Sequence, residues 1–305
     1  MPAQIPLAGA HGLPFLVLSG LMSLLFRLLA RLPLRVLHAL GSTLGWIAYA
    51  VSARYRHRVR TNLSYAGYTD RAVLKAAIAE AGKAVLEIPF IWYRPREQVL
   101  ALIRDVRGAE IESSARSLGH GVVFLTPHIG CFELLSFWVA REAPLTVLYR
   151  PPKLQWLRPV MDAGRARENI QLAPTNLTGV RRLLRALRAN EAIGLLPDQV
   201  PSFGEGKWVE FFGRDAYTMT LPERLQSATG AIVVIVFLER LAKGRGYRVH
   251  AAPMPATQSG ESYLSCLNRG IESAIRKIPS QYWWGYNRYK GSKVNQRVDS
   301  PDSNV

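Results

Sequence analysis

Between a short β-type run, Val122 to Leu125, and an apolar helical stretch, Glu133 to Arg141, the chain reads Thr126-Pro127-His128-Ile129-Gly130-Cys131-Phe132-Glu133. An imidazole followed at this spacing by a carboxylate suits proton transfer. The carboxylate can bond one ring nitrogen and fix the tautomer, leaving the other nitrogen as a general base toward a weak nucleophile such as an alcohol. Positions five apart lie about 140° apart on an ideal helix, so His128 and Glu133 do not share a helical face. They meet if His128 sits on the turn and Glu133 in the first turns of the helix. Gly130 permits a tight turn, and the N–H groups left open at a helix start can receive a developing oxyanion. The plain alternative is a loop histidine with no task, since this spacing recurs by chance.

Ligands of open α/β sheets gather beyond the carboxyl ends of the strands, which directs attention to other residues just past β-type runs. Arg150 follows the run Leu145 to Tyr149 and is either a surface cation or a bidentate anion contact. Asp198 and Gln199 follow Ala192 to Leu196 across Pro197. Pro-Asp is a turn dipeptide, and the same location suits a site residue equally well. Cys131 places a thiol close to the histidine, the arrangement of a covalent catalyst. The two cysteines and the histidines show no zinc-type spacing, so no metal is expected, and no G-x-S-x-G elbow occurs anywhere in the chain.

Such positions presuppose a sheet to hold them. From Val122 onward β-type runs alternate with helical stretches: 122–125, a helix over 133–141, 145–149, a helix over 154–167, a helix over 180–189, and 192–196. Then come a Gly- and Pro-rich loop, 208–212, a helix over 222–229, the β-branched run 232–237, 247–251, and a last helix over 262–278. This order predicts an α/β fold with a mostly parallel central sheet flanked by helices. Ahead of it, Asp70 to Trp92 reads as a helix capped by Thr69 or Asp70 and ended by Pro89 and Pro95. With 305 residues, 49% of them hydrophobic, the chain can bury a full-sized core.

Charge sorts the chain unevenly. Thirty-nine Lys and Arg against 22 Asp and Glu leave a net +17, which predicts an anionic partner. Residues 1–69 contain seven arginines and no Asp, Glu or Lys. Leu13 to Phe26 is uncharged, and Leu28 to Ala30 extends the greasy run past Arg27. Eighteen residues rise about 27 Å as a helix, just short of a hydrocarbon core of roughly 30 Å. Arg27, Arg31 and Arg35 follow this run, which puts what comes after it on the cytoplasmic side, and Pro33 ends the helix. A second apolar segment, Val36 to Val51, leads into Arg54, Arg56, Arg58 and Arg60, suited to anionic headgroups. The expected division is an N-terminal membrane helix over 1–33, a catalytic domain over 34–290 and a polar tail over 291–305. Core helices of a soluble protein are the competing account of both apolar segments.

The segment from His128 to Glu133 resembles the H-x-x-x-x-D/E motif of membrane glycerolipid and lipid A acyltransferases. More specifically the chain is similar to the late acyltransferases of lipid A biosynthesis, the lauroyl/myristoyl transferase family, over roughly residues 15 to 290. Further matches follow in the family's order: Tyr149-Arg150-Pro151, Leu196-Pro197-Asp198-Gln199, Val209-Glu210-Phe211-Phe212-Gly213, Thr218-Met219-Thr220, and the aromatic and basic segment Gln281 to Lys290. Cys131 stands where the family carries Asn after the motif glycine, and Leu221 where glycine is common.

The resemblance implies transfer of a fatty acyl group from an acyl carrier protein thioester to a hydroxyl of a Kdo-bearing tetraacyl lipid A precursor, in lipopolysaccharide biosynthesis. It implies the cytoplasmic face of the bacterial inner membrane as the location. His128 and Glu133 then carry catalysis, and Arg150, Gly130, Asp198 and Gln199 bind substrate or the oxyanion. No cofactor is expected beyond the carrier-borne donor, and direct attack without an acyl-enzyme is the expected course. Arg181, Arg182, Arg185 and Arg188 form a solvated helix face or a docking patch. The rivals are another glycolipid or phospholipid acyltransferase or a lipid hydrolase on the same residues, and a basic membrane-surface or nucleic-acid-binding protein. No DNA- or RNA-binding motif accompanies the charge, so nucleic acid is not an expected partner.

Overall fold

The structure, a computed structural model, describes residues 13–291. Helices α1 (Leu13–Arg31), α2 (Leu34–Val51), α3 (Ala53–Tyr65), α4 (Arg71–Leu86), α5 (Ile88–Tyr93) and α6 (Arg96–Leu100) come first. Strand β1 (Ile103–Arg107), α7 (Ala109–Ser117), β2 (Val122–Leu125), α8 (Phe132–Val139), β3 (Leu145–Tyr149), α9 (Arg158–Arg165), β4 (Ile170–Pro174), α10 (Leu177–Arg188) and β5 (Ala192–Leu195) follow. The chain continues through β6 (Gly206–Phe211), β7 (Arg214–Met219), α11 (Leu221–Thr229), β8 (Ile232–Arg240), β9 (Tyr247–Pro253) and α12 (Tyr263–Lys277).

Seven strands form one sheet in the order β1-β9-β8-β2-β5-β3-β4, and β6 and β7 make a separate antiparallel hairpin. Only the β8–β9 junction is antiparallel, so β1 and β9 run against the other five. The expected mostly parallel sheet with flanking helices is the observed architecture. Successive strand residues point to opposite faces, and two cores result. Val123, Leu125, Ile193, Leu195, Ile235 and Phe237 pack on one face with α10 and α12. Val122, Phe124, Ala192, Val234 and Val236 pack on the other with α5 and α8.

Strands β2 and β3 fall where the apolar runs place them. Edge strands β1 (Ile-Arg-Asp-Val-Arg) and β4 carry no such signal, because one side of an edge strand needs no apolar partner. The long helix read over Asp70–Trp92 is broken at Glu87, where Pro89 opens α5. A helix over 154–167 shrinks to a 3₁₀ turn and α9.

Pro33 separates α1 from α2 as expected. Backbones of α2 and α4 touch: a Cβ on Gly82 would lie 1.9 Å from the Gly41 carbonyl oxygen. Outward, α1 exposes Leu18, Leu21, Leu24, Leu25 and Leu28, and α2 exposes Leu40, Leu44, Trp46, Ile47 and Val51. Among the described residues no single helix is long and apolar enough to cross a membrane; α2 and α3 together pass that test, bent by 103°. Residues 1–12 of the expected N-terminal membrane helix and 292–305 of the expected tail lie outside the described residues.

A sealed charge cluster ties the N-terminal helices to the sheet. Arg240, at the end of β8, bonds both oxygens of Glu87 and reaches Glu80 at 2.7 Å. His38 Nε2 and the Tyr247 hydroxyl complete the shell of Glu87 at 3.2 and 3.0 Å. Burial on its own raises the Glu87 pKa, but the Arg240 charge and hydrogen bonds outweigh it and hold the carboxyl far below its usual range.

Candidate active site

Parallel strands β2 and β5 pair in register, Leu125 opposite Leu195, so the turns leaving their carboxyl ends lie side by side. His128 is three residues past one strand end and Asp198 three past the other. The Asp198 carboxylate accepts from His128 twice, Nδ1 to Oδ1 at 2.8 Å and the backbone N–H to Oδ2 at 2.9 Å. Gln199 brings its side-chain amide to 3.1 Å from Nε2. With Nδ1 carrying the proton toward Asp198 and Gln199 donating to Nε2, that second nitrogen is unprotonated, the form of a base. Asp198 is 2% and His128 10% exposed at the side chain. Burial raises the Asp198 pKa, yet the charge and hydrogen bonds of His128 prevail and the net direction is downward.

Glu133 does not hold the imidazole; the carboxylate at His128 is Asp198. Arg165 of α9 takes both oxygens of Glu133, and Trp92 Nε1 donates to Oε2 at 3.0 Å. Chain geometry explains the difference. The turn at Gly130 (φ +59°) sends α8 away from β2, while strand pairing delivers Asp198 to the ring. The Arg165 guanidinium also lies over the rings of Trp92 and Tyr149, 5.4 and 5.5 Å from their centroids. Its own burial lowers its pKa, but the charge of Glu133 and its hydrogen bond reverse that and raise it, so Arg165 stays charged.

Gly130 has no alternative residue: a Cβ there would sit 1.8 Å from the Leu238 carbonyl oxygen. Its amide is not an oxyanion donor, however, because it donates to the Gln281 carbonyl at 3.0 Å, and the Cys131 amide donates to Leu238. Arg150 is exposed on the rim of the cavity described below, and the arginine paired with Glu133 is Arg165. Cys131 is buried, and burial, with the Glu87 charge adding to it, pushes its thiol well above the ordinary range. A neutral, enclosed thiol is a poor nucleophile.

His128 and Glu133 both line a cavity of about 780 Å³. Its walls are mainly apolar, among them Phe124, Leu135, Val139, Leu145 and Ile170, with Arg150, Arg165 and Arg224 as cations. A smaller recess of about 180 Å³ lies on the Asp198 side of the ring, beneath Tyr282 and Trp283. Phe132 and Trp283 flank the imidazole at 4.9 and 5.7 Å. Among the described residues no group of three metal-ligating side chains gathers anywhere. Sequence reasoning missed Arg165 and Trp92, which lie on helices with no motif around them. The His128–Asp198 pairing had a usable signal, since each follows a central β-type run by two or three residues.

An imidazole backed by a carboxylate at the carboxyl edge of a parallel sheet, opening on an apolar cavity, is laid out for an enzyme whose substrate carries a long chain. Comparison with known sequences agrees. The family described as "Bacterial lipid A biosynthesis acyltransferase" matches residues 13–291, and the chain belongs to it. It is 26% identical over 274 residues to the lipid A biosynthesis palmitoleoyltransferase of Escherichia coli strain K12, covering 87% of this chain and 89% of that one. It is 24% identical over 275 residues to the lipid A biosynthesis lauroyltransferase of the same strain, covering 86% and 88%. A lipid A biosynthesis acyltransferase of Haemophilus influenzae is 26% identical over 275 residues, covering 84% and 82%.

Proposed function

We propose that this protein moves a fatty acyl group from an acyl carrier protein thioester to a hydroxyl of a Kdo-bearing tetraacyl lipid A precursor. His128 Nε2 acts as general base, and no acyl-enzyme forms. The observation that carries this reading is the His128–Asp198 pair at the wall of an apolar cavity that also holds the Glu133–Arg165 pair.

The acceptor hydroxyl displaces the Gln199 amide from Nε2. As its oxygen bonds to the thioester carbonyl carbon, its proton passes to Nε2, and Asp198 balances the imidazolium charge. Such positioned proton transfer contributes about 10² to 10⁴ in rate. The carbonyl electron pair collects on oxygen, where Arg165 supplies a cation fixed in the cavity wall; Glu133 engages its Nε and Nη2 and leaves Nη1 for the substrate. Collapse breaks the carbon–sulfur bond, and the imidazolium proton goes to the departing thiolate. Ester and free thiol are the products. Arg150, at the rim, meets the phosphate of the glycolipid.

The leucine-bearing outer faces of α1 and α2 with Arg27 and Arg31 support seating at the cytoplasmic surface of the inner membrane, greasy side chains in the lipid and guanidiniums among the headgroups. The test supplies purified carrier thioesters and the precursor in detergent and weighs the lipid product. A mass gain of one acyl group is expected. Free fatty acid with no change in the glycolipid would show a hydrolase instead.

A further inference from the structure

Strand β5 lies in the middle of the sheet, between β2 and β3, and reads Ala192-Ile193-Gly194-Leu195. Glycine weakens a strand interior unless a bulge, a close backbone approach or a ligand requires it. No bulge exists here, because Val122 to Leu125 pair with Ala192 to Leu195 without a break, and Val147 stands opposite Gly194 on the other side. Gly194 is not among the residues with positive φ. No backbone presses on it either. The nearest atoms a Cβ would meet are side-chain carbons of Val147 and Leu145, at 3.5 to 3.9 Å, which is ordinary contact.

What distinguishes Gly194 is the space above it. It is half-buried, whereas the other three residues of β5 are buried. Across the sheet Phe124, Gly194, Val147 and Leu172 form one register row, and all four line the large cavity. One row nearer the amino ends of the strands, Leu145 and Ile170 still line it, but Val122 and Ala192 do not. Two residues of strand span about 6.6 to 6.8 Å. The cavity thus runs from His128 at the carboxyl edge down the sheet and closes about one row beyond Gly194. A chain with its carbonyl at His128 passes over Gly194 near its far end.

We infer that Gly194 sets the length of the acyl chain this enzyme accepts: its missing side chain leaves room for the terminal methylenes. This rests on the acyl-transfer reading above and adds the specificity of the donor. Each methylene forced out of an apolar pocket costs about tenfold or more in selectivity, so a modest side chain at this position shifts the preferred donor to shorter chains.

The experiment offers wild type, Gly194→Ala and Gly194→Val an equimolar panel of carrier thioesters from decanoyl to stearoyl with the lipid A precursor, and weighs the products. Ile193→Val, on the opposite face of the same strand, serves as control. The expected result is a preference that moves to shorter chains in Gly194→Ala and further in Gly194→Val, by about tenfold or more between the long and short donors, with the control unchanged. Wild-type transfer with the same chain-length profile in both glycine variants overturns the inference and leaves the acyl-transfer reading standing. So does an inactive Gly194→Val alongside an unaltered Gly194→Ala. No transfer by wild type from any donor overturns the reading itself and the inference with it.

Discussion

The His38–Glu87 pair and the His128–Asp198 pair are alike in chemistry and opposite in setting. Each joins an imidazole to a buried carboxylate, at 3.2 and 2.8 Å. Around Glu87 every approach is filled, by Arg240, Tyr247 and the N-terminal helices. Around His128 the second ring nitrogen meets the Gln199 side-chain amide, and a cavity begins there. Residue type and separation do not distinguish the two pairs; the cavity beside His128 does.

The sharpest way to break that contrast is to remove each imidazole. His128→Ala is expected to cut acyl transfer by about 10² to 10⁴ beyond any loss of stability from leaving Asp198 without its ring partner, while His38→Ala loses stability and keeps turnover. Steady-state rates and melting curves on both variants decide it, and equal rate losses would erase the distinction. Next in size is Glu87→Ala. It leaves Arg240 buried without its main partner, and uncompensated buried charges of this kind cost about 3 to 5 kcal/mol, read as a lowered denaturant midpoint.

Acid sharpens the same comparison. Glu87 and Asp198 both have pKa values held below those of an unfolded chain. Their contribution is fully present above the ordinary carboxylate range near pH 4 and is lost as pH falls through the lower folded values, because the unfolded chain takes up the protons first. Stability should therefore decline below about pH 5, and Glu87→Gln should flatten that decline while lowering stability at neutral pH. The smallest effect is expected at Cys131. Cys131→Ser should keep most of its turnover, and the native thiol should resist alkylation at neutral pH; inactivation by a thiol reagent together with a dead Cys131→Ser would restore a covalent mechanism.

Much of the frame is legible in the chain because continuous apolar runs mark central strands: Val122 to Leu125 and Leu145 to Tyr149 are strands at those limits. Arginine-bearing β1 hides because half its surface faces water. At the site, local spacing singled out the histidine but assigned it the wrong carboxylate. Glu133 is close in sequence, whereas Asp198 is close in space through the β2–β5 pairing, which connects turns 70 residues apart. Arg165 left no trace, since a single arginine on a helix carries no period or motif that separates it from a solvated one.

The turn bearing the imidazole is finished by the far end of the chain. The Gly130 amide donates to the Gln281 carbonyl, Trp283 donates to the His128 carbonyl, and the Gln281 side chain clasps the Arg240 backbone on both sides. These partners come from the segment that follows α12. The alignment of the imidazole therefore depends on a segment remote from it in the chain as well as on the sheet that carries it.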